Sequence, residues 1–235
     1  VDTLRALRAY AGELDPAAPV ISLQNGMGNE EAIKTALGGA VAVILGITTE
    51  SSHTIAPGHV RSSEQGNTII GSTSASKATS RMVTDLLNDS GLRASIVYDI
   101  RPHLWGKLVA NAAVNALSAL LDCDAGEIPR DPNAARLAEA LADETASVAA
   151  ALKIKLPFVN PWQYVTEVIA LGADAKSSMA LDLATGHPTE IDHINGAVVA
   201  LGRRTGTPTP YNEAMVRLIK AREAVLARSR LGLQA

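Results

Sequence analysis

Leu104-Trp105-Gly106-Lys107-Leu108-Val109-Ala110-Asn111-Ala112-Ala113-Val114-Asn115 is the stretch on which the reading of this chain turns. Lys107, Asn111 and Asn115 stand at i, i+4 and i+8, so on a helix they project from one side. The residues between them are apolar, as in a helix packed on several sides. Burial disfavours the charged form of a lysine and pulls its pKa down. Two neutral amides beside it can orient a polar ligand without adding charge. Together they suit a proton donor facing a small oxygen-rich substrate, although a solvated helix face is the ordinary place for a lysine.

The stretch also marks a change of texture. Before it, helix and strand patterns alternate: a helix near 3–13, a strand at 19–24, the turn Asn25-Gly26-Met27-Gly28, a helix near 29–37 and a buried strand at 40–47. A hairpin-like region spans 49–71, with turns at Pro57-Gly58 and Gln65-Gly66-Asn67, and a helix near 76–90 and a strand at 94–98 follow. Such alternation predicts a parallel or mixed sheet with helices on its faces. After Tyr98 the pattern is helical, with Asp99 placed to cap and Pro102 placed in a first turn. Helices are expected near 101–121, 133–153, 161–171, 175–186, 188–204 and 210–228. The fold class is therefore α/β followed by all-α, divided into 1–98 and 99–235.

Bulk properties exclude several functions. Lys and Arg total 21 against 24 Asp and Glu, a net charge of −3, and only 3% of residues are aromatic. Neither a basic footprint nor a base-stacking platform for nucleic acid is present. The longest apolar run, Val41 to Ile47, falls far short of the ~20 residues that span a bilayer. Cys123 is the single cysteine, which rules out an internal disulfide and fits a reducing, cytoplasmic setting; it reads as a packing thiol. Val1-Asp2-Thr3 leads into a helical pattern (Leu4, Leu7, Tyr10, Leu14) without a cationic and apolar leader, so no signal peptide is expected here. The five histidines form no H-E-x-x-H or H-x-x-E-H pair, and no metal is expected.

Two further clusters carry polar chemistry. Asn25-Gly26-Met27-Gly28 lies between a strand and a helix, where ligands bind at the carboxyl edge of an open α/β sheet. Asn-Gly is equally a common turn dipeptide, and the residues leave both readings open. The second cluster is Ser177-Ser178-Met179-Ala180-Leu181-Asp182 with Thr189-Glu190-Ile191-Asp192-His193-Ile194-Asn195-Gly196. Ile191, Ile194, Val198 and Leu201 follow helical spacing and should face a core. Pro188-Thr189 would open that helix and place Glu190 in its first turn, where the dipole favours a carboxylate.

In combination, SLQNGMGNEE at 22–31, PGHV…G…IIG within 57–71, LWGKLVANAAVNALSALL at 104–121 and SSMALDL…TEIDHINGAVV within 177–199 resemble the ketopantoate reductases. The resemblance implies part of a Rossmann-type dinucleotide-binding domain, then a helical domain like the C-terminal domain of 6-phosphogluconate dehydrogenase. It implies NADPH-dependent reduction of ketopantoate to pantoate, on the route to pantothenate and coenzyme A. Lys107 would be the general acid, and Glu190 would hold the substrate hydroxyl and orient the lysine. Asn111, Asn115 and Ser178 would bind substrate oxygens, and Asn25, Gly26 and Glu190 would lie on the cofactor side. The partner would be a small 2-keto acid, and two copies would pair through the helical domain.

The chain departs from the family pattern in three places. Ala125, in Asp122-Cys123-Asp124-Ala125-Gly126, stands where the family often has an asparagine, and Ala173-Asp174-Ala175-Lys176 lacks another amide used on the substrate. Lost hydrogen-bonding groups change which small acid fits best, so a related 2-keto acid is an alternative substrate. No G-x-G-x-x-G turn occurs either; by the family pattern, roughly 70 residues carrying it and the central strands would precede Val1. A catalytically silent module that pairs through its helices is therefore a second reading. A hydroxyacid dehydrogenase of the 6-phosphogluconate type is a third, less well matched to the paired TEIDHING and SSM…D motifs.

Overall fold

The computed structural model describes residues 2–15, 18–38, 41–50, 52–62, 66–74 and 76–230. Ala40 of the expected strand and Gln65 of the expected turn lie outside these residues. The chain forms two compact units: 1–24 with 28–104, and 25–27 with 105–235.

The first unit is α/β. Its elements run α1 (Asp2–Tyr10), β1 (Val20–Ser22), α2 (Asn29–Ala36), β2 (Val43–Thr48), β3 (Ser52–Ala56), β4 (His59–Ser62), β5 (Thr68–Gly71), α3 (Lys77–Asp89) and β6 (Ala94–Val97). Four strands form a mixed sheet in the order β1-β2-β5-β6. β1 runs parallel to β2 with Ile21 opposite Ile44, β2 antiparallel to β5 with Ile47 opposite Ile69, and β5 parallel to β6. The hairpin expected over 49–71 is shorter, since β3 and β4 alone pair across Pro57-Gly58. β5 leaves it for the main sheet because Ile70, with no exposed surface, gains about 1.5–3 kcal/mol from full burial there. Ser80 on α3 donates its hydroxyl to the Gly71 carbonyl at 2.9 Å, fixing that helix on the end of β5.

The second unit is helical and is built around α4 (Arg101–Leu121). The Asp99 carboxylate accepts from the Arg101 backbone N–H at 3.0 Å, one residue ahead of the cap position expected of it, because the first helical bond runs from Leu104 N to the Ile100 carbonyl. Trp105, Leu108, Val109, Ala112, Ala113, Ala116 and Leu117 of this helix are all buried. Among the described residues α4 is the one helix long and apolar enough to cross a bilayer, and 72% of its most apolar window is buried inside the protein. Its apolarity serves a core.

A 3-10 turn (Ala125–Arg130) leads to α5 (Pro132–Ala151), α6 (Pro161–Ala170), α7 (Ser178–Thr185), α8 (Asn195–Thr205) and α9 (Pro210–Arg230). The starts follow cap chemistry: Asp131 accepts from Ala134 N at 2.9 Å and Asn160 from Gln163 N at 2.9 Å, each just before a proline. Leu141, Val148, Val165, Met179, Ile191, Ile194, Val198 and Ile219 close the core around α4, with Trp162 packed against it.

One expected helix is corrected. The periodicity predicts helix from 188, but α8 begins at Asn195, and 186–194 are a coil and turn. Glu190 therefore lies outside any helix. Its carbonyl accepts from both His193 N and Ile194 N at 3.0 Å, and Gly196 N reaches back five residues to the Ile191 carbonyl at 2.9 Å. That wide turn buries Ile191 and Ile194 as a helix would, which is why spacing alone mistakes it for one.

Candidate active site

Lys107 lies two turns into α4, half-buried, and the expected face continues through half-buried Asn111 and buried Asn115. Burial holds the Lys107 ammonium below its ordinary pKa of 10.5, and the Glu190 carboxylate nearby opposes that fall. Gly106 keeps the helix close to its neighbours: a Cβ there would sit 3.3 Å from the Tyr164 hydroxyl. Tyr164 itself stacks on Phe158 with centroids 4.0 Å apart.

The lowered pKa has a measurable consequence. The unfolded chain binds the Lys107 proton more tightly than the folded one, so the charged lysine costs stability below its folded pKa. The cost fades as pH rises toward the unfolded value. Lys107→Met is expected to melt above the parent near neutral pH, with the difference narrowing toward ~pH 10. Differential scanning calorimetry across pH checks this; a difference that does not narrow contradicts it.

Glu190 is half-buried and accepts a hydrogen bond from the Asn25 side-chain amide at 3.1 Å. Asn25 belongs to the three residues, 25–27, that pack with the helical unit. Met27 N donates to the His193 carbonyl at 3.0 Å, which docks this segment on the Glu190 turn. Gly26 permits the approach. Its φ is +80°, and a Cβ on it would lie 2.4 Å from the His193 carbonyl oxygen. The close approach that this glycine allows is thus to protein backbone.

Ser178 opens α7 and is exposed, whereas Ser177 is half-buried. Ser177 caps the helix, accepting from Ala180 N at 3.2 Å, and donates to the Asn115 carbonyl at 3.1 Å. It ties the Ser178 end of α7 to the last residue of the lysine–amide face. The signal for Ser177 is in the sequence, since a serine just before a helical run is a capping residue. Asp182 carries no such signal. That half-buried carboxyl is pushed up, first by burial and then by the Glu190 charge.

The two segments that depart from the family pattern meet. Ala125 N donates to the Ala175 carbonyl at 3.1 Å, and Gly126 N to the Ala173 carbonyl at 2.8 Å. Lys176 forms an ion pair with Asp122 beside them. The Cys123 thiol there is pushed up by burial and by neighbouring carboxylates, consistent with a packing role. Among the described residues no His, Cys, Asp or Glu group could hold a metal ion.

A dinucleotide finds part of a fit: in the helical unit, Asn25 offers a carboxamide beside Glu190. Glycines in the G-x-G-x-x-G order that seats a pyrophosphate are not among the 235 residues.

Sequence comparison bears on the whole arrangement. The family profile described as "Ketopantoate reductase PanE/ApbA C terminal" matches residues 99–223, and "Ketopantoate reductase PanE/ApbA" matches 1–75. A 2-dehydropantoate 2-reductase of Pyrobaculum aerophilum is 40% identical over 204 residues, 86% of this chain and 68% of that protein. The crystal structure of a PanE/ApbA family ketopantoate reductase from Ralstonia eutropha JMP134 superposes with a TM-score of 0.86 at 30% identity, covering 96% of this chain and 74% of that one. D-mandelate dehydrogenase, solved with NADH and anilino(oxo)acetate, superposes equally well at 0.86 and 26% identity, with the same coverage. With its mixed α/β sheet, its helical second half and its lysine–amide helix in place, the chain belongs to the ketopantoate reductase family of nicotinamide-dependent oxidoreductases.

Proposed function

We propose that this chain reduces the C2 ketone of 2-dehydropantoate to pantoate, as part of pantothenate and coenzyme A synthesis. The carrying observation is Lys107, kept below its ordinary pKa by burial beside a carboxylate that Asn25 in turn engages. Bound NADPH supplies the hydride. As negative charge grows on the ketone oxygen, the Lys107 ammonium stabilises it and gives up a proton to it. A lysine with an unshifted pKa would hold that proton more tightly. Glu190 accepts from the substrate hydroxyl and keeps Lys107 oriented. Asn111 and Asn115 hydrogen-bond substrate oxygens, and Ser178 meets the carboxylate. Asn25 and Gly26, with Glu190, take the cofactor side. In this reading residues 1–98 serve the dinucleotide, while 99–235 hold substrate and pair two copies.

A second reading keeps the reaction and changes the acid. Ala125 and the segment Ala173-Asp174-Ala175-Lys176, joined backbone to backbone, lack the amides that would favour a hydroxylated chain. D-mandelate dehydrogenase, bound to an aromatic oxoacetate, shares the fold. These observations support a 2-keto acid with an apolar substituent.

Initial rates of NADPH oxidation with 2-dehydropantoate and with phenylglyoxylate separate the readings. A higher kcat/KM for 2-dehydropantoate is expected; the reverse order selects the apolar acid. Saturable NADPH binding with no turnover of either acid ends both. An absence of NADPH binding by fluorescence titration leaves the silent, pairing module.

A further inference from the structure

Asn195, the first residue of α8, has no exposed surface. Its side-chain amide donates to two oxygens: the Ala112 carbonyl at 3.0 Å and Asn212 Oδ1 at 2.9 Å. Ala112 lies on α4 next to Asn111, and Asn195 follows Glu190 by five residues. One side chain therefore bridges the lysine helix and the carboxylate turn.

The orientation of this amide is dictated from behind. Asn212, also without exposed surface, donates from Nδ2 to Glu144 Oε2 at 2.8 Å and to the Leu141 carbonyl at 3.4 Å. Both partners only accept, so Asn212 must turn its oxygen toward Asn195. Asn195 must then turn its nitrogen toward Ala112. Glu144 is held in place by Asn212 N and Tyr211 N at the start of α9, both at 2.9 Å. Asn195 Oδ1 is the one buried side-chain polar atom among the described residues that has no hydrogen-bond partner. An unpartnered buried oxygen is destabilising, so an apolar side chain would serve packing better. What the asparagine provides is its pair of donors. α9 grips the same turn at two other points, Glu223 Oε1 accepting from Thr189 N at 2.9 Å and Lys220 pairing with Asp192 at 2.7 Å. Neither reaches α4.

We infer that Asn195 is the positioning residue that sets the Glu190 turn against the Lys107 helix, with Asn212 and Glu144 fixing its direction. The inference rests on the proposed roles of Lys107 and Glu190. Its test is a lysine Nζ NMR titration of the full chain, with Lys107 assigned by Lys107→Arg, run alongside steady-state kinetics. In Asn195→Ala the turn loses its tie to α4 and Glu190 acts less on Lys107, so the Lys107 titration should move downward. The kcat should fall about 10- to 100-fold, the cost of a displaced catalytic group, with KM for NADPH within about twofold of the parent. Asn212→Ala, which removes the orienting partner and leaves Ala112, should give a smaller shift in the same direction. It also serves if Asn195→Ala does not fold. Val198→Ala, on the same helix and without exposed surface, should lower the melting temperature and leave both readouts unmoved. A folded Asn195→Ala or Asn212→Ala protein with the parental Lys107 titration overturns the inference, as does an equal shift in Val198→Ala. Full activity in Lys107→Ala would instead overturn the catalytic reading, while the NMR comparison would still judge Asn195.

Discussion

Lys107→Ala is expected to lower kcat for keto-acid-dependent NADPH oxidation by about 10²–10⁴-fold, the range for loss of a positioned general acid. The proton must reach the ketone oxygen as hydride arrives at carbon, and water at that point is a weaker, unoriented donor. The site also loses the ammonium charge that interacts with Glu190. The half-buried carboxylate then faces a growing alkoxide with the Asn25 amide but without the lysine's charge. Binding of NADPH alone should change little, so the deficit belongs to kcat more than to the cofactor KM. Lys107→Arg should not restore the rate, because a guanidinium stays protonated through the pH range in which an amine can release its proton. Steady-state assays of the two variants decide the point, and a rate near the parent's in Lys107→Ala removes the lysine from the mechanism.

Gly26→Ala should be the most damaging single methyl group in the helical unit. The added carbon would meet the His193 carbonyl oxygen at 2.4 Å and its carbon at 2.8 Å. Both are backbone atoms and cannot rotate away. A left-handed φ adds about 1–2 kcal/mol for any residue with a Cβ. Segment 25–27 must lift, breaking the Met27–His193 hydrogen bond and the Asn25–Glu190 contact. At ~1 kcal/mol for each bond, the loss comes to about 3–4 kcal/mol. Urea denaturation measures it, and activity should fall with it because Asn25 leaves Glu190. A Gly26→Ala protein as stable and active as the parent would show that this docking contributes nothing in solution.

The lysine helix was legible because its signals are local. Asp99 just ahead of its start, apolar residues at helical spacing and three polar residues four apart all act within or beside one element. The Glu190 turn was legible as a site and misread as a helix. Ile191, Ile194 and Val198 must reach the core in either conformation, and what separates the two is a five-residue hydrogen bond from Gly196 that leaves no trace in spacing. β5 was placed in a hairpin for a related reason: its partner β2 is fixed by burial of Ile70 in a sheet assembled at long range. Asn195 and Asn212 were invisible as a pair, since their bond joins α8 to the start of α9 and depends on which way each amide faces.

The protein has two tryptophans, both in the helical unit: Trp105 on α4 lies in its core, and Trp162 on α6 packs against it. Intrinsic indole emission is therefore a local observable. It reports on the integrity of the helical half, where both indoles lie. Circular dichroism averages over both. Whether the two signals vanish together on denaturation is a direct reading of how far the halves share one cooperative transition.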